Sequence, residues 1–166
     1  MTASFGRGVA ESQAPASAAE ARATHQGDLH AWAREQAALL RAGRIAEADV
    51  LNIAEELDDI VVQQYDKLES ALRVLLMHMA KWDHQPERRS RSWEATIRTQ
   101  RKAVLRLLRK NPSLKASLEE ALAEAWEDAR SDASGETDLP LRSFPEACPY
   151  DWAAIMERPF EYDPPR

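Results

Sequence analysis

Between Ala46 and Trp82 the chain contains neither glycine nor proline, while Val50, Ala54, Leu57, Val61, Gln64, Leu68, Leu72, Leu75, Met79 and Trp82 follow one another in steps of three and four. That period places them along one stripe of an α-helix. A continuous helix over this stretch would be about 55 Å long, well beyond the average, so a break near its middle stays open. Its halves differ. The first carries Glu55, Glu56, Asp58 and Asp59 around the polar side, and the second adds Val74, Leu76 and Met77 outside the stripe, which predicts a more buried second half.

Around this axis the other elements are marked by caps and breakers. Asp28 can cap a first helix near 28–42, with Leu29, Trp32, Gln36, Leu39 and Leu40 on its apolar side and Gly43 as its stop. Gln85-Pro86 ends the second helix, and Ser90 or Ser92 caps a third that runs to about Lys110. Asn111 is placed to cap a fourth, with Pro112 at its first position, a stripe of Leu114, Leu118, Leu122, Ala125, Trp126 and Ala129, and Gly135 at its end. Six of the nine prolines lie from position 140 onward, so the C-terminal arm is irregular. One short helix fits inside it, with Cys148 near the cap, Pro149 at the first position, and Trp152, Ile155 and Met156 packing inward. Residues 1–27 show no sustained period and read as a disordered tail. The expected fold is all-α, a bundle-like arrangement of four main helices plus the Pro-rich arm, forming a single helical domain over 28–166.

Composition removes several classes. With 44% hydrophobic residues among 166 the chain can build a core, and no stretch approaches the roughly 18 uninterrupted apolar residues of a membrane-spanning helix. One cysteine cannot form an internal disulfide framework, and the N-terminus lacks a basic start followed by an apolar run, so the expected location is the cytoplasm. There is no Gly-rich phosphate loop, no Gly-x-Ser-x-Gly and no His-Glu-x-x-His; no cofactor is expected.

The string Asn52-Ile-Ala-Glu55-Glu56-Leu, then Leu72-x-x-Leu-Leu-x-His78 with Lys81-Trp82, Gln85-Pro86, Arg91-Ser-Trp93, Gln100-Arg101, Pro112-Ser-Leu114, Phe144-Pro145 and Cys148-Pro149-Tyr150 resembles the bacterial family known as domain of unknown function 29. The likeness spans about residues 28–160. It implies a bacterial, helical, soluble domain and carries no activity with it. The run Ile60-Val61-Val62-Gln63 departs from the family pattern in being more apolar, which leaves solvent or a contact open for that face.

Charge is unevenly distributed. Residues 67–115 hold 13 of the 22 basic residues and 4 of the 28 acidic ones, so an overall net charge of −6 hides a strongly divided molecule. On the third helix, Trp93, Ile97, Gln100, Val104, Leu107 and Leu108 share one arc, while Arg91, Arg98, Lys102, Arg106 and Arg109, with Arg88 just ahead, gather opposite. This row suits phosphates and makes nucleic acid a candidate partner. Neutralisation by acids of the second and fourth helices, or of a partner, is the competing reading. Arg89 and Arg101 flank the apolar arc instead, where a guanidinium calls for a carboxylate; Glu55, Glu56 and Asp59 are the candidate partners of a helix-to-helix ion pair, with an anion site as the alternative.

His78 and His84 with the acids of the second helix invite a metal site, but the Glu-x-x-His spacing of bundle sites is absent, and Glu55 and His78 would be about 35 Å apart on a continuous helix. No metal is expected. Cys148 reads as a small packed residue, or as a thiol activated by a helix start. Trp32, Trp82, Trp93, Trp126 and Trp152, spread over the helices, read as core or groove anchors. The leading expectation is a helical binding protein, acting on a protein partner or on itself, without chemistry of its own and without a membrane. Nucleic-acid binding comes second, and an enzyme gathering Glu55, Glu56, His78 and Arg101 around a kink in the second helix comes third.

Overall fold

In the computed structural model, which describes residues 23–163, the long periodic stretch is one unbroken helix. The α-helices are α1 Leu29–Arg41, α2 Val50–His84, α3 Arg91–Lys110, α4 Leu118–Thr137 and α5 Trp152–Glu157. Tight 3-10 turns lie at Ile45–Glu47, Pro86–Arg88, Pro112–Ser117 and Leu141–Ser143. No strand occurs among the described residues, and the fold is all-α. Most of the expected N-terminal tail lies outside the described residues; Thr24 to Gly27 form a turn in which the amides of Gly27 and Asp28 donate to the Thr24 carbonyl.

Local signals set most helix ends. The Asp28 carboxylate accepts from the Ala31 amide at 3.0 Å, and Gly43, at φ 70°, takes the left-handed conformation that ends α1. The Ser90 hydroxyl accepts from the Trp93 amide at 3.3 Å and opens α3.

Three expected ends move. The fourth helix starts at Leu118 rather than at Pro112, because Asn111 closes α3 instead of opening α4: its side-chain amide donates to the Leu107 carbonyl at 3.3 Å. Gly135 lies inside α4, which continues to Thr137 and ends where Asp138 turns left-handed at φ 59°. There the Thr137 hydroxyl donates to the Ala133 carbonyl at 2.6 Å, closing the last turn. Pro149 sits ahead of α5, whose cap is Asp151, accepting from the Ala154 amide at 2.7 Å.

The chain divides into two compact units, one ending at Ala54 and the other beginning at Glu55. In the first, Trp32, Gln36 and Leu39 of α1 are buried, and the Gln36 side-chain oxygen accepts from the Asp49 amide at 2.8 Å, fixing the approach to α2. In the second, the α2 stripe Leu68, Leu72, Leu75 and Met79 is fully buried together with Ile97 and Val104 of α3. Ala121, Ala125, Ala129 and Ala133 of α4 recur every fourth residue and let that helix come close, with Trp126 filling the space beside them. Phe144, Ile155 and Phe160 of the C-terminal arm complete this core. The second half of α2 is accordingly the buried half, as its composition predicts.

Candidate functional site

Where α2 ends, the C-terminal arm is clamped to it by arginines and aromatic rings. Asp83 accepts from both Arg158 and the Tyr150 hydroxyl at 2.9 Å, and a second Arg158 nitrogen meets its other oxygen. Burial alone would raise the Asp83 carboxyl, but Arg158 and Tyr150 outweigh it and hold it below its ordinary value. Burial and the Asp83 charge push the Tyr150 phenol far up. Phe160 stands edge-on to Trp82 at 5.5 Å, with the guanidiniums of Arg158 and Arg101 within 4.8 and 5.1 Å of its ring centre. Arg89 lies over Trp82 at 5.1 Å.

The two flanking arginines are half-buried, but they meet carbonyls rather than carboxylates. Arg101 donates to Ile155 at 2.6 Å and Ala154 at 3.2 Å, the last-turn carbonyls that α5 leaves without helical partners. Arg89 donates to the Trp82 carbonyl at 2.9 Å, at the end of α2. Burial, and then the charge of Arg158, lower the Arg101 pKa. The expected ion pairs of Arg89 and Arg101 with Glu55, Glu56 and Asp59 therefore do not form. Glu55 and Asp83 are separated by about 42 Å along one continuous helix, and Arg101 sits at the Asp83 end. Glu55 and Asp59 are exposed. The kink that would gather Glu55, Glu56, His78 and Arg101 is likewise missing.

Both histidines are bonded within α2: the His78 ring nitrogen Nδ1 lies 2.9 Å from the Val74 carbonyl, and that of His84 lies 2.8 Å from Ala80. Burial lowers the His78 pKa, which favours the neutral ring. Among the described residues no group of three or more His, Cys, Asp or Glu is arranged to hold a metal ion. Burial also raises the Cys148 thiol, which donates weakly to the Tyr150 carbonyl at 3.6 Å and lies ahead of α5 rather than at its start.

Other motif residues brace the same frame. The Gln85 side chain donates to the Thr137 carbonyl at 2.9 Å, and the Trp126 indole donates to Pro145 at 3.1 Å. Buried Lys81 pairs with Glu136 and lies 4.5 Å from the Trp93 ring centre.

The exposed surface differs in character. On the first half of α2, Leu57, Ile60, Val61 and Val62 are 58%, 51%, 68% and 57% exposed. One face further along, a groove of about 570 Å³ runs between α2 and α3, lined by Lys67, Ser70, Ala71 and Val74 on one side and Gln100, Ala103 and Leu107 on the other. A second hollow of about 520 Å³ shares Ala103 and is rimmed by Lys102, Leu105, Arg106 and Arg109. Arg88, Arg91, Arg98, Lys102, Arg106 and Arg109 are all exposed. Among the described residues only Arg98 of this row meets a carboxylate, that of Glu94 at 3.5 Å in the same helix.

Asp83, Arg158 and Phe160 were not among the candidate residues read from the sequence. The available signal was an acid at the end of a long apolar stripe and an Arg-Pro-Phe run in a proline-rich arm, and neither names its partner. No curated protein and no solved structure matches the chain. The family described as domain of unknown function DUF29 matches residues 24–161, the span that contains both units' helices and the clamp. This chain belongs to the DUF29 family.

Proposed function

We propose that this protein is a cytoplasmic bacterial binding protein that works by docking a helical partner, or a copy of itself, on the first half of α2, without chemistry of its own. The observation that carries this reading is the run of exposed Leu57, Ile60, Val61 and Val62 on a helix whose continuation is core. Contiguous exposed apolar side chains of this size mark contact surfaces, since water-facing helix turns ordinarily carry polar residues. Light scattering across a concentration series, together with pull-down from the native host, tests it. The expected result is an oligomer or a retained partner that Val61→Glu abolishes; a strict monomer retaining nothing overturns it.

A second reading is favoured by the cation row of α3, five of whose six members make no ion pair among the described residues. Exposed, unneutralised cations along one helix suit nucleic-acid phosphates, and such binding weakens steeply with salt. Fluorescence anisotropy of short labelled DNA and RNA at low and near-physiological salt tests it, with charge reversal at Arg98, Lys102 and Arg106 expected to abolish the signal. No binding at low salt overturns this reading and leaves the cations to the acids of a protein partner.

A further inference from the structure

We propose that the occupant of the α2 surface is the α2 helix of a second copy, lying antiparallel across a two-fold axis near Gln64. This deepens the binding reading above and rests on it.

Leu57, Ile60, Gln64, Lys67, Ala71 and Val74 follow one another in alternating steps of three and four, so they form one seam along the unbroken helix. Its two ends are opposite in shape. At the N-terminal end the large side chains Leu57 and Ile60 project into solvent. At the C-terminal end Ser70, Ala71 and Val74, with Ala103 and Leu107 of α3, line the groove of about 570 Å³. Reversing one copy against the other lays the projecting leucine and isoleucine of each into the small-residue hollow of its partner. Both contacts are made at once by the same surface, which is the condition for a closed two-fold dimer.

Charge selects the same direction. The projecting half carries Glu55, Glu56, Asp58 and Asp59, whereas residues 67–115 hold 13 basic against 4 acidic residues. Parallel pairing sets Glu56, the one of these acids that flanks the seam, beside its own copy, while Glu55, Asp58 and Asp59 face away from the pair. Antiparallel pairing instead brings Glu56 toward the partner's groove, where Lys67 and the neighbouring Lys102, Arg106 and Arg109 outnumber the one groove acid, Asp66. Gln64 at the axis accepts from the Asn111 side-chain amide at 3.4 Å within its own chain, and its own amide group supplies the polar seam contact that fixes register in paired helices.

The test uses the full chain with Cys148→Ser to remove the native thiol. Light scattering is expected to give twice the chain mass. A mixture of Leu57→Cys and Ala71→Cys chains is expected to cross-link on oxidation, while Leu57→Cys alone does not, because its two copies are about 21 Å apart in the antiparallel pair, far beyond disulfide reach. Ile60→Glu is expected to weaken dimerisation about a hundredfold or more, with helix content unchanged. Cross-linking of Leu57→Cys with itself overturns the antiparallel arrangement. A monomer that retains a host protein lost on Ile60→Glu overturns self-pairing and leaves the binding reading standing, and a monomer that retains nothing overturns both.

Discussion

Arg158 grips Asp83 through two guanidinium nitrogens across 75 residues of chain, and this pair fastens the C-terminal arm to the last turn of α2. Tyr150 adds a third donor to the same carboxylate. Replacing Asp83 with Asn leaves a part-buried guanidinium facing a neutral amide, which is expected to cost about 1–3 kcal/mol in chemical denaturation. The pH dependence has a definite sign. Because the folded-state pKa lies below 3.8, the carboxylate's contribution is present above the ordinary carboxylate range and is lost as pH falls through the lowered value. Asp83→Asn is expected to flatten that acid-side slope.

Arg101 caps α5 through two carbonyls while lying against Phe160, so its role needs a planar fork rather than a charge. Arg101→Lys is expected to lose most of this, destabilising by about 1–2 kcal/mol. Limited proteolysis should then cut the arm beyond Glu157 sooner than in wild type, with α2 to α4 still protected.

Leu72 and Leu57 sit on the same apolar stripe of one helix, yet Leu72 is fully buried and Leu57 is 58% exposed. Leu72→Ala is expected to cost about 2–5 kcal/mol, the range for emptying a packed site. Leu57→Ala is expected to stay within about 0.5 kcal/mol in a dilute monomer, as exposed substitutions do. Urea titration of both variants at low concentration checks the contrast; an equal cost would mean the first half of α2 is covered in the isolated chain.

Glu69 is half-buried, and burial followed by the Asp128 charge raises its pKa above 4.5. Folding then opposes its ionisation, so this group lowers stability as pH rises from its unfolded value through the raised folded one. Glu69→Gln is expected to be more stable than wild type at neutral pH by about 0.5 kcal/mol after allowing for solvent screening, and equal to it in acid. Thermal melts at pH 4 and pH 7 distinguish the two.

Helix existence and most helix ends were legible in the sequence because their causes are local. The 3.6-residue period, the Asp28 and Ser90 caps, Gly43 and Pro86 act within a few residues of themselves, and α1, α2 and α3 appear where those signals stand. Two of the three displaced helix ends share a reason. Asn111 is adjacent to both α3 and α4 and bonds backward, and Gly135 is tolerated inside α4, which Trp126 and its alanine row hold against the core. A local signal decides only when packing does not overrule it.

The candidate site divides the same way. That Arg89 and Arg101 leave the cation row was visible on the helical wheel, but their acceptors were not, since a backbone carbonyl at the end of α5 has no signature in side-chain identity. Asp83 and Arg158 were invisible as a pair because 75 residues separate them and many charges of either sign compete for each. By itself, the sequence determined an all-α chain with one long helix, a divided charge and an irregular arm, for these follow from residue spacing and short-range geometry. Only the tertiary structure decided what covers the second half of α2, which acid Arg158 grips and which carbonyls Arg89 and Arg101 cap, because burial partners and pairing are set by neighbours distant in the chain.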